Sequence, residues 1–169
     1  EMKLLKDICD KNNVILLEDA CESLGSEYKG QKIGNFGLMS SFSTYYGHHM
    51  STIEGGMVCT NDTEIYNILK SIRSHGWDRD LDEDFRKKLR KKNNIHDNFE
   101  SLYRFYHFGF NLRSTDLQAF LGLGQLEKLS DKVVERNKNY QRYINGVNNS
   151  YWCPQGNIKD IFISNFCFP

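Results

Sequence analysis

The feature that most constrains the fold is a short apolar run at residues 14–17 that leads directly into two carboxylates, Glu18 and Asp19. The run follows residues 2–12, whose apolar side chains recur at helical spacing. A continuous apolar strand after a helix is typical of a parallel sheet covered on both faces, as in α/β proteins. Ligands bind beyond the carboxyl ends of such strands, so Glu18 and Asp19 are predicted to lie at a ligand-binding edge.

The remaining sequence continues to alternate between strand and helix patterns. Further strands are predicted over residues 38–43, 56–60 and 161–163, and helices over residues 63–74 and from Ser114-Thr115-Asp116 to about residue 145. Lys29-Gly30 indicates a turn, and the charged residues 79–98 indicate a solvated helix or mobile loop rather than a nucleic-acid patch. Because the pattern breaks at Cys153-Pro154-Gln155-Gly156, residues 1–148 and 149–169 are predicted to belong to different domains.

Composition narrows the possible partners and the compartment. The 22 basic residues balance the 22 acidic ones, which gives no general attraction to nucleic acid or to an anionic membrane. No apolar run reaches the ~18 residues that a membrane span needs. The five cysteines form no CxxC pair and are an odd number, which favours free thiols in a reducing cytoplasm. The chain begins inside a helical pattern and ends inside a strand-like one, so we expect a fragment of a longer cytoplasmic protein.

Three polar residues near the predicted strand ends could bind a ligand. Asp19 could pair with a cationic ring nitrogen, although its position alone favours a carboxylate that caps the next turn. Glu22 would face the same side if residues 19–22 form a helical turn. Ser43 ends a predicted strand, where its hydroxyl could bind a phosphate or close a turn.

Two adjacent histidines occupy the loop after Ser43. His48 lies five residues beyond Ser43 and shortly before Glu54-Gly55-Gly56, and an imidazole titrates near neutral pH. His48 is therefore a candidate general acid or base. His49 is interpreted as a supporting neighbour. No ligand spacing accompanies the pair, so a metal site is not predicted.

Taken together, these motifs resemble the pyridoxal phosphate (PLP)-dependent sugar aminotransferase/dehydratase family of the DegT/DnrJ/EryC1/StrS type. The resemblance spans residues 1–145 and rests on Glu18-Asp19-x-x-Glu22, Lys29-Gly30-x-Lys32-x-Gly34, Ser41-Phe42-Ser43, His48, Glu54-Gly55-Gly56 and Gly109-Phe110-Asn111-x-Arg113. It implies an α/β fold of the fold-type I, aspartate aminotransferase-like kind, with a mixed, mostly parallel sheet flanked by helices. Residues 1–148 would form part of the large cofactor-binding domain and residues 149–169 the start of the small C-terminal domain.

The resemblance also implies roles for individual residues. Asp19, Glu22 and Ser43 would bind PLP or pyridoxamine phosphate (PMP) through the ring nitrogen, the ring hydroxyl and the phosphate. Asn111 would reach the phosphate of the cofactor in a neighbouring subunit, which implies a homodimer. By position alone, however, Asn111 fits a residue that leads into a helix.

The residue at position 48 distinguishes branches of the family. Most members carry there a lysine that holds the cofactor as a Schiff base, and histidine cannot form that bond. Within the family, histidine marks sugar 3-dehydratases. The resemblance therefore implies removal of the C3 hydroxyl from a GDP- or CDP-linked 4-keto-6-deoxyhexose in the synthesis of 3,6-dideoxysugars for surface glycans such as O-antigen. His48 would serve as acid and base, and glutamate as amino donor.

A second histidine-bearing branch carries a [2Fe–2S] cluster, which needs four thiolates. This chain has Trp77-Asp78-Arg79-Asp80 where that branch has clustered cysteines, so no iron–sulfur cluster is expected. Two alternatives stay open. One is a sugar aminotransferase that uses another lysine, with Lys29 and Lys32 near the motif. The other is a non-catalytic relative.

Overall fold

The computed structural model describes residues 1–147 and 159–167. The elements in chain order are α1 (Met2–Lys11), β1 (Leu17–Asp19), β2 (Glu27–Tyr28), β3 (Gln31–Lys32), β4 (Met39–Ser43), β5 (Gly56–Thr60), α2 (Thr63–Arg73), α3 (Glu83–Lys92), α4 (Asn98–Ser101), α5 (Asp116–Leu126), α6 (Leu129–Gly146) and β6 (Ile161–Phe162). The described residues form two compact units. The first contains residues 1–59 and those from Thr115 onward, and the second contains residues 60–114.

The first unit contains a sheet with strand order β1-β4-β5, in which β1 and β4 run parallel. The apolar run was predicted to be the strand itself, but β1 begins only at its last residue, Leu17. The predicted burial is also wrong, because Val14 is 57% exposed and Ile15 67% exposed. The physical reason is that β1 lies at the edge of this sheet and pairs only with β4 among the described residues. The strand therefore includes Glu18 and Asp19, whose side chains point to opposite faces.

A second, smaller sheet in the same unit has the order β3-β2-β6, with both pairs antiparallel. The predicted turn at Lys29-Gly30 joins β2 to β3, and both turn residues have positive φ. The predicted strand near residue 161 is confirmed as β6, which pairs with β2. The predicted domain boundary between residues 148 and 149, and the break at Cys153-Pro154-Gln155-Gly156, lie outside the described residues.

The helix patterns are confirmed in place, with one difference in length. The Asp62 carboxylate accepts a hydrogen bond from the Ile65 N–H at 2.9 Å and so caps α2. The single long helix predicted after Ser114-Thr115-Asp116 is two helices, α5 and α6. They separate at Lys128, whose φ of −100° and ψ of 1° lie outside the helical region. A short-range bond from the Lys128 N–H to the Gln125 carbonyl tightens the last turn of α5 there.

The second unit holds α2, α3 and α4. The predicted solvated helix in the charged segment is α3, which buries none of its residues. An ion pair holds it, in which Nε of the half-buried Arg90 lies 2.6 Å from the carboxylate of the fully buried Asp78. None of the helices in the described ranges has the length and apolar character needed to cross a membrane.

Candidate active site

The carboxylate of Glu18 fixes the loop that leads into β4. It is buried and accepts hydrogen bonds from the N–H groups of Gly34 at 2.7 Å, Phe36 at 2.6 Å and Gly37 at 2.6 Å. Gly37 also lies close to the Leu16 carbonyl, since a Cβ added at Gly37 would be 2.6 Å from that oxygen. The loop conformation therefore depends on the Glu18 carboxylate and on the absence of a side chain at Gly37.

The neighbouring Asp19 faces the opposite side, at the carboxyl end of β1. Its Oδ1 accepts hydrogen bonds from the Cys21 N–H and from the Ser41 hydroxyl, both at 3.2 Å. The Cys21 thiol, the Cys21 N–H and the Ser41 hydroxyl lower the pKa of the Asp19 carboxyl below its ordinary value. Asp19 thus caps the next turn, as one interpretation of the sequence held, and it is also a stabilised carboxylate at the predicted edge.

Glu22 follows in the turn that Asp19 caps. The Ser23 N–H donates to the Ala20 carbonyl at 3.0 Å, which closes that turn, and Glu22 is exposed. The pKa of the Cys21 thiol is raised, first by its contact with Asp19 and then by burial, and the negative charge of Glu22 adds to the effect. Cys21 therefore lies within the electrostatic influence of both carboxylates.

Ser41 and Ser43 lie on the same face of β4 because they are two residues apart. Ser41 is the register partner of Asp19 and donates to it. Ser43 Oγ accepts a hydrogen bond from the Tyr45 N–H at 3.2 Å. The hydroxyl hydrogen of Ser43 is then available to an acceptor such as a phosphate oxygen. The sequence analysis did not assign a role to Ser41. The Ser-Phe-Ser alternation was the available signal, because residues two apart in a strand face the same side.

His48 lies in a tight turn in which its N–H donates to the Tyr45 carbonyl at 3.0 Å. Its ring contacts two aromatic side chains, with centroid distances of 6.0 Å to Tyr45 and 5.1 Å to Phe166. The Nδ1 atom is buried and has no hydrogen-bond partner within residues 1–147 and 159–167. No hydrogen bond from Nδ1 to the described residues therefore fixes which ring nitrogen of His48 carries a hydrogen.

His49 has a different environment from His48. It is buried, and its Nε2 lies 3.2 Å from the Ser164 carbonyl, so Nε2 carries the hydrogen and donates it. Burial lowers the pKa of His49, and the positive charges of Arg136 and His48 lower it further. A neutral, buried histidine tied to a backbone carbonyl is suited to holding the loop rather than to moving protons.

A cavity of about 380 Å³ opens beside His48. Its lining combines the histidine loop with α5 and α6 and consists of Tyr46, His48, His49, Ser51, Gln125, Lys132, Glu135, Arg136 and Asn139. Asp19, Glu22 and Ser43 are not part of this lining. Of the other predicted site residues, Asn111 belongs to the second unit, where it forms an isolated bridge with Ser74.

Several residues at this site escaped the sequence analysis. Phe166 contacts both histidine rings, and Ser164 binds His49, yet both lie more than a hundred residues further along the chain. Gln125 contacts Ser51 from α5. No local pattern marks these residues, because their role depends on which segments fold against the loop.

The parallel β1–β4 pair, the carboxylate and serines at its carboxyl edge and the loop that follows define an α/β protein of the aminotransferase-like class. Residues 1–153 match the DegT/DnrJ/EryC1/StrS aminotransferase family. The chain belongs to that family.

Relatives with known activities fall on both sides of the dehydratase–aminotransferase division. The chain is 39% identical to the GDP-4-keto-6-deoxy-D-mannose 3-dehydratase of Escherichia coli O55:H7 over 145 residues, which cover 83% of this chain and 35% of that protein. It is 33% identical over 172 residues to the UDP-4-amino-4,6-dideoxy-N-acetyl-beta-L-altrosamine transaminase of Helicobacter pylori, which covers 100% of this chain and 40% of the relative.

A solved structure of a 3-dehydratase is also similar to this chain in its fold. The E. coli GDP-4-keto-6-deoxy-D-mannose 3-dehydratase with bound hydrated PLP superimposes with a TM-score of 0.70 at 35% identity, over 83% of this chain and 36% of that one. The chain thus spans about a third of the length of the 3-dehydratases that it matches.

Proposed function

We propose that the full-length protein is a PLP/PMP-dependent 3-dehydratase that removes the C3 hydroxyl of a nucleotide-linked 4-keto-6-deoxyhexose, with glutamate as amino donor. The observation that carries the proposal is His48, a half-buried imidazole in the loop that follows Ser43, whose Nδ1 has no hydrogen-bond partner in the part of the chain that the structure describes. The similarity to enzymes named GDP-4-keto-6-deoxy-D-mannose 3-dehydratase favours a GDP-linked sugar over a CDP-linked one.

The donor and acceptor groups at the edge of the sheet fit a pyridoxal-type cofactor. Asp19 is kept as a carboxylate by the Cys21 and Ser41 contacts, and a carboxylate can pair with a protonated ring nitrogen. Ser43 has a hydroxyl hydrogen to offer a phosphate, and Glu22 adds a second carboxylate beyond the turn. When bound, PMP supplies an amine for the sugar ketone and a ring that accepts electrons.

In this proposal His48 supplies the acid and base chemistry. As a base its imidazole would take up a proton released at the bound cofactor, and as an acid it would deliver that proton to the departing C3 hydroxyl oxygen of the sugar, so that the hydroxyl leaves as water. Asp19 keeps its negative charge throughout because its hydrogen bonds favour the ionised form. Tyr45 and Phe166 border the His48 ring and limit its contact with water.

A sugar aminotransferase is the second candidate, and the similarity to the H. pylori transaminase favours it. That chemistry needs a lysine in Schiff-base linkage. Lys29 and Lys32 both lie in the β2–β3 hairpin. Lys32 pairs with Glu27 at 3.0 Å, and Lys29 lies 5.3 Å from the centroid of the Tyr28 ring. These contacts support the dehydratase over the aminotransferase.

Two further features belong to the proposal. We infer a homodimer, because the resemblance assigns Asn111 to the cofactor of a neighbouring subunit and the second unit exposes a series of large apolar side chains, namely Phe99, Leu102, Tyr103, Phe105, Phe108, Phe110 and Leu112. We also infer that no iron–sulfur cluster takes part, since Trp77-Asp78-Arg79-Asp80 provides no thiolate.

The decisive experiment is the His48→Asn substitution in the full-length protein, assayed for water loss from GDP- and CDP-linked 4-keto-6-deoxyhexoses with glutamate present. We expect the dehydration rate to fall by about 10²- to 10⁴-fold, the usual contribution of an acid–base group, with the cofactor still bound. His96→Asn, at an exposed histidine of the second unit, is the matched control and should keep the wild-type rate.

Borohydride reduction separates the two candidate functions. In the wild-type protein incubated with PLP, the dehydratase leaves no lysine labelled, whereas an aminotransferase acquires one labelled lysine. Full dehydration activity in His48→Asn would show that another residue is the acid–base group.

A further inference from the structure

The polar face of helix α5 contacts residues 51–54, and its apolar face points away from the other described residues. Gln118, Gly122 and Gln125 lie along one face at helical spacing and meet the loop that follows His48. On the other sides the large apolar residues are exposed, namely Leu117 at 67%, Phe120 at 73%, Leu123 at 64% and Leu126 at 55%. Two glutamines join α5 to the loop through hydrogen bonds.

The two glutamines hold the backbone of this loop at two points. Gln125 contacts Ser51 twice, since its amide oxygen accepts the Ser51 N–H at 3.0 Å and its amide nitrogen donates to the Ser51 carbonyl. Gln118 donates to the Glu54 carbonyl at 2.6 Å. Between them Gly122 approaches the loop closely, because an added Cβ would lie 3.1 Å from Thr52 Cγ2.

Two threonines, Thr44 and Thr52, close the base of the loop that contains His48 and Ser51. The hydroxyls of Thr44 and Thr52 lie 2.6 Å apart, and the Thr52 N–H donates to the Thr44 carbonyl at 2.8 Å. The next residue, Ile53, has a φ of 72°, a conformation that β-branched residues strongly disfavour. Such a conformation persists only where surrounding contacts impose it. The bonds at Ser51 and Glu54 flank Ile53 and supply such contacts.

We propose that Gln118 and Gln125 are positioning residues for His48, and that their grip on Ser51 and Glu54 sets the placement of the imidazole. His48 lies between the closed base at Thr44 and the held backbone at Ser51, and Gln125 lines the same cavity as His48. The proposal rests on the proposed function, in which His48 is the acid–base group. In this role the two glutamines of α5 act through the loop backbone and do not touch the reacting atoms.

Two substitutions in the full-length protein test the proposal. Gln125→Met removes both bonds to Ser51. Gln118→Glu removes the donor to Glu54 but keeps the oxygen that accepts the Thr115 N–H at the start of α5. We expect kcat for dehydration to fall about 10- to 100-fold in each variant, the scale of a small misplacement of a reacting group. We expect KM for the sugar nucleotide and the absorbance of the bound cofactor to stay as in the wild type.

The matched control is Gln31→Met. Gln31 also donates its amide to a backbone carbonyl, that of Asn35 at 2.9 Å, but in the exposed β2–β3 hairpin. Hydrogen exchange over residues 45–53 provides a readout without turnover, and it should speed up in the α5 variants and stay unchanged in Gln31→Met.

Each outcome decides the matter. Faster exchange together with lower kcat per cofactor-loaded enzyme supports the proposal. Unchanged exchange, or faster exchange with wild-type kcat, overturns it, and so does a loss of thermal stability and cofactor content without a change in kcat. If the wild-type protein does not dehydrate the sugars at all, the proposed function fails instead, and the exchange data alone decide whether the glutamines hold the loop.

Discussion

Adjacent residues at this site have opposite environments. Glu18 is buried and bonded to three N–H groups, whereas Asp19 faces the exposed edge. In the same way His49 is buried and tied to a carbonyl, whereas His48 keeps a ring nitrogen without a partner among the described residues. In both pairs one residue holds the backbone, and the proposed function assigns the chemistry to its neighbour.

Replacing Glu18 tests the first of these pairs. In Glu18→Gln one carboxylate oxygen becomes an NH₂ group that faces backbone N–H groups, so we expect the free energy of unfolding to fall by about 2–4 kcal/mol. Chemical denaturation of the full-length protein measures the change. The control, Glu22→Gln, alters an exposed carboxylate and should change stability by less than about 0.5 kcal/mol. Equal effects at the two positions would contradict the anchoring role of Glu18.

The buried His49 should make stability depend on pH. Its folded-state pKa is lowered by burial and by the charges of Arg136 and His48, so the unfolded chain binds the proton more readily. The stability that neutral His49 contributes is therefore complete above about pH 6.5 and is lost as the pH falls through the folded-state pKa. His49→Gln, which can still donate to the Ser164 carbonyl, should lose less stability between pH 7 and pH 5. Denaturation curves at both pH values compare it with His96→Gln, which should behave like the wild type.

At the scale of elements, α5 and α6 illustrate how local signals set boundaries. Thr115 forms a capping box with Gln118, which fixes the first turn of α5. Gln118 thus serves both the start of its own helix and the loop at Glu54. The apolar periodicity continued through residue 128 and concealed the break, because periodicity reports which face is apolar and not where the backbone leaves helical geometry.

Mutation can separate the Thr115 cap of α5 from the hydrogen bonds that Gln118 and Gln125 make to the loop. Thr115→Ala should lower the free energy of unfolding by about 1 kcal/mol through loss of the cap. It should leave kcat unchanged, because both glutamines keep their bonds to the loop. Ser114→Ala removes a neighbouring hydroxyl that does not cap α5 and is the matched control. A stability loss in Ser114→Ala as large as that in Thr115→Ala would argue against the assigned cap.

At the scale of the whole molecule, the second unit exposes more large apolar side chains than a solvent-facing surface would retain. Phe108 is fully exposed, and Phe105, Phe110 and Leu112 are each more than 60% exposed. Exposed apolar surface of this extent marks interaction sites. The proposed homodimer is one partner that would cover it.

We expect Phe108→Ser to weaken the self-association of the full-length protein. Sedimentation velocity over a range of concentrations measures the monomer–dimer balance. Leu4→Ser, at an exposed apolar residue on α1 in the first unit, is the control and should sediment as the wild type does. A Phe108→Ser protein that remains as dimeric as the wild type would place the interface elsewhere.

The sequence by itself determined the elements whose signals are local. Helices α1 and α2, the turn at Lys29-Gly30 and strands β4 and β5 follow from periodicity, capping and turn residues within a few positions of one another. The family motifs likewise lie within short segments, so they could be read without a structure.

Tertiary structure alone decided the features that join distant segments. It placed all but the last residue of the apolar run before β1, because pairing with β4 sets where the strand begins. It brought Phe166 to His48, Ser164 to His49 and Gln125 to Ser51. A single sequence does not record which distant residues meet, since such contacts arise from the packing of the whole chain, and the environment of His48 consists of these contacts.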